Sequence, residues 1–184
     1  MADHLVQHKH ESDIIARVKQ GGRADFEQLV VAYKDQLFVF IINLTGSREQ
    51  SEDILQEVFL SAYKQIHTFN SRRGSFSTWL YTIARNKCFN VLKKKQAILL
   101  EDFPDPVAGG TPDEDLLKKE AFYRLDRALK QLPLQDQSIF NLFEIQGLSY
   151  KEISRIESIR IGTVKSRLAR AREKLKAILK SYMG

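Results

Sequence analysis

Aromatic rings, amides and a lysine recur on one face of a predicted helix near the middle of the chain. The helix is expected to run from Phe76 to about Lys95, and residues 71–100 around it carry seven Lys or Arg and no Asp or Glu. Rings can stack on unpaired bases, amides can hydrogen-bond base edges, and an ammonium group can pair with phosphate. The pattern favours binding of a single nucleic-acid strand; packing of Phe76, Trp79 and Ile83 inside the protein is the alternative. The residues of this face are Phe76, Trp79, Ile83, Asn86, Lys87 and Asn90.

A second basic zone lies in residues 151–184, which carry ten Lys or Arg and three Glu. An apolar residue recurs every three or four positions from Val164 to Ile178, which predicts a helix with one buried stripe. A short helix capped by Ser149, a brief turn and this basic helix form a helix-turn-helix pattern, whose second helix can enter the major groove of DNA. Thr163, at the predicted helix start, can offer its backbone N–H and hydroxyl to a phosphate. A solvated basic helix in any bundle is the alternative. The candidate DNA-binding residues are Thr163, Lys165, Ser166, Arg167, Ala169 and Arg170.

An acidic and amide-bearing stripe interrupts this basic character on the helix predicted over 48–66. Asp53, Gln56, Glu57 and Leu60 recur at helical spacing and fall on one face. Because carboxylates do not help DNA binding, this face is a candidate for contact with another protein, with Leu60 as an apolar anchor. A solvated face that promotes solubility is the alternative.

Helical periodicity and capping residues predict an all-α chain of two small domains. We expect a polar, basic loop from His67 to Ser75. Residues 97–112 contain Pro, Gly and acidic residues and predict a flexible acidic linker between domains at 1–96 and 113–184. Four helices are predicted in the first domain: one capped by Ser12 and ended by Gly21-Gly22, one from Phe26 to Leu44, one that begins with a Ser47/Gln50 capping box and ends near Ile66, and one from Phe76 to about Lys95. Four more are predicted in the second domain: one from Asp113 to about Gln131, one from about Leu134 to Gln146, one that begins with a Ser149/Glu152 capping box and ends at Ile156, and one from Gly162 or Thr163 to about Ser181.

Composition argues against several classes of protein. The 184 residues carry a net charge of +6, 43% are hydrophobic, and no apolar run approaches the roughly 20 residues of a membrane span. The sequence starts Met1-Ala2-Asp3-His4, which is not a signal peptide, so we expect a cytoplasmic protein without membrane insertion. Cys88 is the single cysteine, which excludes an intramolecular disulfide.

Enzymatic activity is not expected from this sequence. It contains no glycine-rich phosphate loop and no evident Ser/His/Asp arrangement, so we expect no cofactor and no small-molecule substrate. His4, His8 and His10 form a short tract that could bind a metal ion, but a solvated N-terminus is the expected structure there and no metal site is predicted.

Three segments near the C-terminus carry a family resemblance: Leu132-Pro133, residues 147–153 (GLSYKEI) and residues 162–172 (GTVKSRLARAR). They resemble the domain that recognises the –35 promoter element in sigma factors of the extracytoplasmic-function (ECF) class. Three positions depart from the family pattern. Ser154 replaces the usual Ala, Ser158 replaces the usual Gly of the turn, and Gln137 replaces a commonly basic residue. We expect these changes to affect turn geometry or affinity.

The first half of the chain resembles the same family. The run 52–59 (EDILQEVF) is similar to the segment that docks on the clamp helices of the largest polymerase subunit, which implies docking through Asp53, Gln56, Glu57 and Leu60. Residues 69–86 resemble the –10 recognition and melting element, whose loop captures a base flipped from the non-template strand. Together with the helix face described above, this resemblance gives the candidate –10 contact residues Phe69, Asn70, Arg72, Arg73, Trp79, Ile83, Asn86, Lys87 and Asn90.

The resemblance covers roughly residues 12–96 and 113–180 and implies a transcription initiation factor of a stress or envelope response. Its implied partners are core RNA polymerase, through the clamp helices and the flap, promoter DNA and an anti-sigma factor; the free chain is expected to be a monomer. The acidic linker is expected to thread toward the RNA exit path, with simple solvation as the alternative. The competing function is a stand-alone helix-turn-helix regulator, which would leave the acidic stripe and the loop at 67–75 without a role.

Overall fold

A computed structural model describes residues 2–99 and 127–181, with side chains described from 11 to 94 and from 127 to 180. No strand occurs in these two ranges, which confirms the predicted all-α class. The elements are α1 (Ala2–Lys19), α2 (Arg23–Thr45), α3 (Arg48–Gln65), a 3-10 turn (Ile66–Thr68), α4 (Phe76–Leu99), α5 (Leu134–Phe140), a π-helical segment (Asn141–Ile145), α6 (Tyr150–Glu157) and α7 (Ile161–Ser181).

The chain divides into two compact units, Met1–Lys87 and Cys88–Gly184. The division falls inside the continuous helix α4, whereas the predicted boundary after residue 96 lies farther along the same helix. No helix formed by the described residues combines the length and apolar character needed to cross a membrane.

Apolar periodicity determines the packing of the first unit. Helix α2 packs against both α1 and α3. The rings of Phe40 on α2 and Tyr81 on α4 meet edge to face with centroids 5.4 Å apart. Burial raises the pKa of the Tyr81 hydroxyl. The residues at the centre of this core are Leu37, Phe40, Ile41, Val58, Ala62, Leu80, Tyr81 and Ala84.

A tight corner joins α2 to α3 where the sequence predicts it. Gly46 has φ 69°, a left-handed conformation that glycine adopts at little cost, and its N–H donates to the Ile42 carbonyl at 2.8 Å. The Ser47 hydroxyl then accepts from the Gln50 N–H at 3.4 Å, but the reciprocal bond of the predicted capping box is not formed. The Gln50 side-chain oxygen is instead buried without a hydrogen-bond partner.

The first predicted helix start was wrong. Helix α1 continues through Ser12 back to Ala2, so Ser12 is not its N-cap. A serine inside a helix costs little when the residues around it favour helix, and this one follows a helix-forming run. The first three residues of the predicted linker at 97–112 are instead the end of α4, which continues to Leu99. The rest of that linker and most of the predicted helix from Asp113 lie outside the described residues, although residues 127–130 are helical.

The second unit contains the predicted helix-turn-helix. Ser149 and Glu152 form a full capping box at the start of α6, as predicted. The predicted helix from Leu134 to Gln146 is present but changes to π-helical geometry after Phe140, before Gly147 adopts a φ of 67°. The buried apolar residues of α5 to α7 are Ile139, Leu142, Ile153, Ile156, Val164 and Leu168, and a second cluster joins Ala128, Leu132, Ala171 and Leu175.

Both serines that depart from the family pattern shape the turn between α6 and α7: Ser154 lies in α6, and Ser158 follows the last residue of that helix. Ser158 has φ 55° and ψ 42°, a left-handed conformation that costs a residue with a Cβ atom roughly 1–2 kcal/mol. The Ser154 hydroxyl donates to the Ile159 carbonyl at 2.5 Å. The turn therefore keeps the geometry that glycine favours, and Ser154 supplies a bond across it that alanine cannot make.

Replacing Ser158 with glycine should stabilise the second unit. We expect Ser158→Gly to raise its free energy of unfolding by roughly 0.5–1 kcal/mol, because the left-handed cost is removed and is only partly offset by glycine's larger chain entropy. Thermal and urea unfolding of the full chain measure this. Ser158→Ala keeps the Cβ atom and is the control; an equal gain in both variants would contradict the explanation.

Candidate functional site

The outer face of α7 is open to solvent, as its periodicity predicts. Val164 and Leu168 are buried toward α5 and α6, which leaves Ser166, Ala169 and Arg170 exposed on the other side. A residue on this face can reach the base edges of a major groove without disturbing the core. Arg170, an exposed cation at the centre of the face, is the strongest candidate for such a contact.

Arg167 has a different environment from its neighbours on α7. Its guanidinium donates to the Asp136 carboxylate of α5 at 2.9 Å, and its side chain is only 28% exposed. The Asp136 side chain is 9% exposed, so this pair is held at the α5–α7 contact. Arg167 was predicted to bind DNA, but its guanidinium already bonds within the protein, which favours a role in fixing α7.

Thr163 is the third residue of α7, within its first turn, because α7 begins at Ile161. Its backbone N–H donates to the Arg160 carbonyl at 2.9 Å. This N–H therefore already has a partner within the chain, which disfavours the predicted phosphate contact through it. The half-buried side chain keeps its hydroxyl as the group that could meet a phosphate.

Sequence periodicity missed an aromatic stack beside α7. The rings of Phe143, in the π-helical segment, and Tyr150, at the start of α6, are parallel with centroids 4.8 Å apart. The Lys165 ammonium lies 5.5 Å from the Tyr150 centroid, and the Arg172 guanidinium lies 5.4 Å from the Phe143 centroid. Arg172 also pairs with Glu144 at 2.6 Å. Tyr150 thus holds the predicted DNA-binding Lys165 by a cation–π contact.

The acidic stripe on α3 is exposed along its whole length. Asp53, Gln56 and Glu57 are solvent-exposed, and the Leu60 side chain beside them is 54% exposed. The opposite face of α3 is buried through Ile54, Val58, Phe59 and Ala62, as predicted. A large apolar residue kept in solvent beside carboxylates is typical of a protein-contact surface.

An open apolar groove of about 740 Å³ lies next to this stripe, between α2 and α3. Leu60 contributes to both surfaces, so the groove continues the stripe. The residues that line it are Arg23, Ala24, Phe26, Glu27, Val30, Phe59, Leu60 and Tyr63.

The predicted nucleic-acid face of α4 is divided by burial. Phe76 is 1% exposed and belongs to the core, so it packs inside the protein, which was the alternative to nucleic-acid binding for this residue. Trp79 and Ile83 are half-buried, while Asn86 and Asn90 are exposed. Lys87 is half-buried, and its ammonium pairs with the Glu57 carboxylate of α3 at 2.9 Å. The face retains an exposed ring edge, amides and a cation.

The loop that follows the 3-10 turn is stabilised by short-range hydrogen bonds. The Asn70 side-chain oxygen accepts from the Arg72 N–H at 3.0 Å, and the Asn70 carbonyl accepts from the Arg73 N–H at 3.0 Å. Asn70, Arg72 and Arg73 are all exposed, whereas Phe69 is 8% exposed and packs on Phe76. Asn70 therefore shapes the loop with its oxygen, and the two arginines are exposed at its tip.

Two side chains outside these surfaces have raised pKa values. Burial raises the pKa of the Cys88 thiol to about 12, so it is protonated at neutral pH. Burial, and then a hydrogen bond donated to Glu11, raise the pKa of the Tyr33 hydroxyl. No group of three or more His, Cys, Asp or Glu side chains that could hold a metal ion occurs where the structure describes side chains.

Because Arg167 and Arg170 lie in different environments, substituting Arg167 should affect stability and substituting Arg170 should affect DNA binding. Arg167→Met leaves the Asp136 carboxylate buried without its partner and should lower the free energy of unfolding by about 1–3 kcal/mol. Arg170→Ala should change stability by less than about 0.5 kcal/mol, because its side chain is exposed, but should weaken binding to duplex DNA. Urea unfolding and DNA titration of both variants test this. Equal effects of the two substitutions on stability would contradict the assignment.

Two family models match the chain. "Sigma-70 region 2" matches residues 29–98, and "Sigma-70, region 4" matches residues 122–175. Among curated relatives, the ECF RNA polymerase sigma factor SigW of Bacillus subtilis is 33% identical, over 90% of this chain and 95% of its own length. The ECF RNA polymerase sigma-E factor of Haemophilus influenzae is 31% identical, over 92% of this chain and 95% of its own.

Two solved structures share the fold. The sigma factor RpoE of Bartonella quintana, in complex with the anti-sigma factor NepR, has a TM-score of 0.71 and 27% identity, covering 85% of this chain and 97% of its own. CnrH, in complex with the cytosolic domain of CnrY, has a TM-score of 0.72 and 22% identity over 91% of this chain and 96% of its own. With the helix-turn-helix, the basic loop and the acidic stripe in place, the chain belongs to the ECF class of the sigma-70 family and is a transcription initiation factor.

Proposed function

We propose that this chain binds core RNA polymerase through the exposed stripe of α3 and directs the enzyme to promoters through α7 and the loop before α4. The observation that carries this proposal is the separation of charge between faces. Asp53 and Glu57 are exposed on a face that suits a protein partner, whereas Arg72, Arg73 and Arg170 are exposed on surfaces that suit DNA.

Recognition of the –35 element is assigned to the exposed face of α7. Arg170 and Ser166 are placed to meet base edges, while Lys165 and the Thr163 hydroxyl are placed to meet phosphates. The Tyr150 ring keeps the Lys165 side chain extended over the start of α6.

Recognition of the –10 element is assigned to the loop and to the exposed part of α4. Arg72 and Arg73 contact the backbone of the non-template strand, the half-buried Trp79 offers its ring for stacking, and Asn86 and Asn90 offer amides to an unpaired base. Because this surface binds the strand only when it is open, binding shifts the equilibrium from duplex to bubble. Melting by this route needs no catalytic residue, so the proposed factor is not an enzyme and uses no cofactor.

The remaining assignments follow from the family. We assign –10 recognition and polymerase binding to a domain that ends near residue 96, and –35 recognition to a domain that starts near residue 113; the family matches at 29–98 and 122–175 support two separate domains. Since the structural neighbour RpoE was solved with the anti-sigma factor NepR, we propose that an anti-sigma factor holds this chain in the cytoplasm until a stress or envelope signal releases it.

Run-off transcription with purified core bacterial RNA polymerase on a promoter library tests the proposal. We expect defined start sites that appear only when the chain is present, preceded by shared –35 and –10 sequences. Absence of such start sites together with absence of core binding would refute it and would favour the stand-alone regulator, whose signs are a stable dimer and a palindromic site.

Reversing the charge of Asp53 should weaken docking without unfolding the chain. Asp53→Arg places a cation on an exposed acidic face, and we expect at least about a tenfold loss of affinity for core polymerase, since unfavourable charge at an interface costs several kcal/mol. Affinity is measured by titration of labelled core enzyme, with circular dichroism to check the fold. Asp35→Arg, the same charge change at an exposed position of α2, is the matched control. An unchanged affinity of the Asp53 variant would refute the docking assignment.

Removing the charge of Glu57 should weaken binding of core polymerase by α3 and strengthen binding of single-stranded DNA by α4. Glu57→Gln removes a docking carboxylate and also leaves Lys87 without its 2.9 Å partner. We expect weaker core binding but roughly two- to fivefold tighter binding of single-stranded DNA by the free chain, an effect that salt reduces. Fluorescence titration with a labelled oligonucleotide measures it. The double variant Glu57→Gln/Lys87→Gln should not show the gain; if it does, Lys87 is not responsible.

A further inference from the structure

A lysine of α1 reaches across to the loop that precedes α4. The Lys19 ammonium donates to the Phe69 backbone carbonyl at 2.6 Å, a contact between residues fifty positions apart. The same ammonium lies 5.6 Å from the centroid of the Phe69 ring. One cation therefore holds both the backbone and the side chain of the residue at which the loop begins.

Phe69 connects the contact from Lys19 to the start of α4. Its ring packs edge to face on Phe76 with centroids 5.3 Å apart, and it lies 5.6 Å from the Trp79 ring. Both of these partners belong to the first turn of α4. Because Phe69 is 8% exposed and closely packed, a shift of its backbone would displace Trp79 or open the cluster.

The middle of the loop lies next to a cavity. A cavity of about 330 Å³ lies between α1 and the loop, lined in part by Ser12, Ile15, Ser71 and Gly74. At its far end the loop is fixed by Ser75, whose hydroxyl accepts from the Thr78 N–H at 3.1 Å. The loop thus has a cavity behind its middle and hydrogen bonds at its two ends, one of which is donated by Lys19 of α1.

We propose that Lys19 is a positioning residue that sets the 69–75 loop for selection of the –10 base. This rests on the proposed function of the loop in –10 recognition. Lys19 itself need not touch DNA: it fixes the Phe69 carbonyl, which fixes the start of the loop and the neighbouring Trp79 ring. The role requires a charged donor, because a hydrogen bond from an ammonium to a partly buried carbonyl is stronger than one between neutral groups.

The decisive substitution is Lys19→Met, which keeps an unbranched apolar stem and removes the donor. Lys19→Arg keeps a charged donor and is the conservative variant. Lys34→Met removes an exposed lysine of α2 and is the matched control for loss of one positive charge. Thermal unfolding of all three variants shows whether each remains folded.

The first measurement uses holoenzyme assembled from the full chain and core polymerase. Initiation rates are compared on four templates that differ only at the selected –10 base, and on a template whose –10 region is already unpaired. We expect Lys19→Met to reduce discrimination between bases by at least about fivefold, equivalent to about 1 kcal/mol, with much smaller loss on the unpaired template. Lys19→Arg and Lys34→Met should keep most of the discrimination.

The second measurement does not depend on polymerase. Trp79 is the only tryptophan of the chain, so its fluorescence reports on the cluster next to Phe69. We expect acrylamide to quench Trp79 more strongly in Lys19→Met than in the wild-type chain or in Lys34→Met.

These two measurements separate the possible failures. A wild-type chain that initiates nowhere would refute the proposed function, while Trp79 quenching would still test whether Lys19 positions the cluster. Unchanged base discrimination in a folded Lys19→Met holoenzyme would overturn the positioning role. So would an equal loss for Lys19→Arg and Lys19→Met, because the charged donor would then not matter.

Discussion

Burial of one face of each helix is the constraint on which the two contact surfaces depend. In α3, burial of Ile54 and Val58 forces Asp53 and Glu57 into solvent, and in α7 burial of Val164 and Leu168 does the same for Ser166 and Arg170. Because the period of the helix is fixed, a face that packs determines which side chains remain for a partner. The surfaces proposed for DNA and for protein are thus set by the same packing that stabilises each unit.

Polar contacts then fix the parts of the chain that helical packing leaves undefined. Ser154 bonds across the turn before α7, and Ser138 donates to the buried carboxylate of Glu157 at 2.5 Å. The Asp136 carboxylate accepts a hydrogen bond from Arg167, and this bond fixes the register of α7 against α5. Each of these is a buried or half-buried group that would be costly if left without a partner, which makes the local geometry specific.

The helices and their exposed faces could be predicted because the information is local. Gly46 ends α2, the Ser149/Glu152 box begins α6, and the apolar stripe from Val164 to Leu175 gives the buried face of α7. These features lie within a few residues of the structure that they determine. Where the local signal was ambiguous, as at Ser12, the predicted boundary was wrong.

Contacts between distant positions could not be predicted in the same way. Periodicity placed Arg167 beside the outer face of α7, but it gave no indication that Asp136 lies within 2.9 Å of it. It likewise gave no indication of the bond from Lys19 to Phe69, or of the stack of Phe143 on Tyr150. Helical periodicity indicates which way a side chain faces on its own helix. Only the packing of one helix against another determines which residues that side chain contacts.

The ion pair between Glu57 and Lys87 shows how close the two kinds of surface lie in the first unit. Helices α3 and α4 are neighbours there, so a carboxylate assigned to the polymerase surface and an ammonium assigned to the DNA surface come within 2.9 Å. Both groups are partly exposed, so the pair is weak and can exchange for other partners. A partner that takes Glu57 leaves Lys87 with uncompensated charge, and a phosphate that takes Lys87 does the same for Glu57. By linkage, binding at one surface must then favour binding at the other by the same factor.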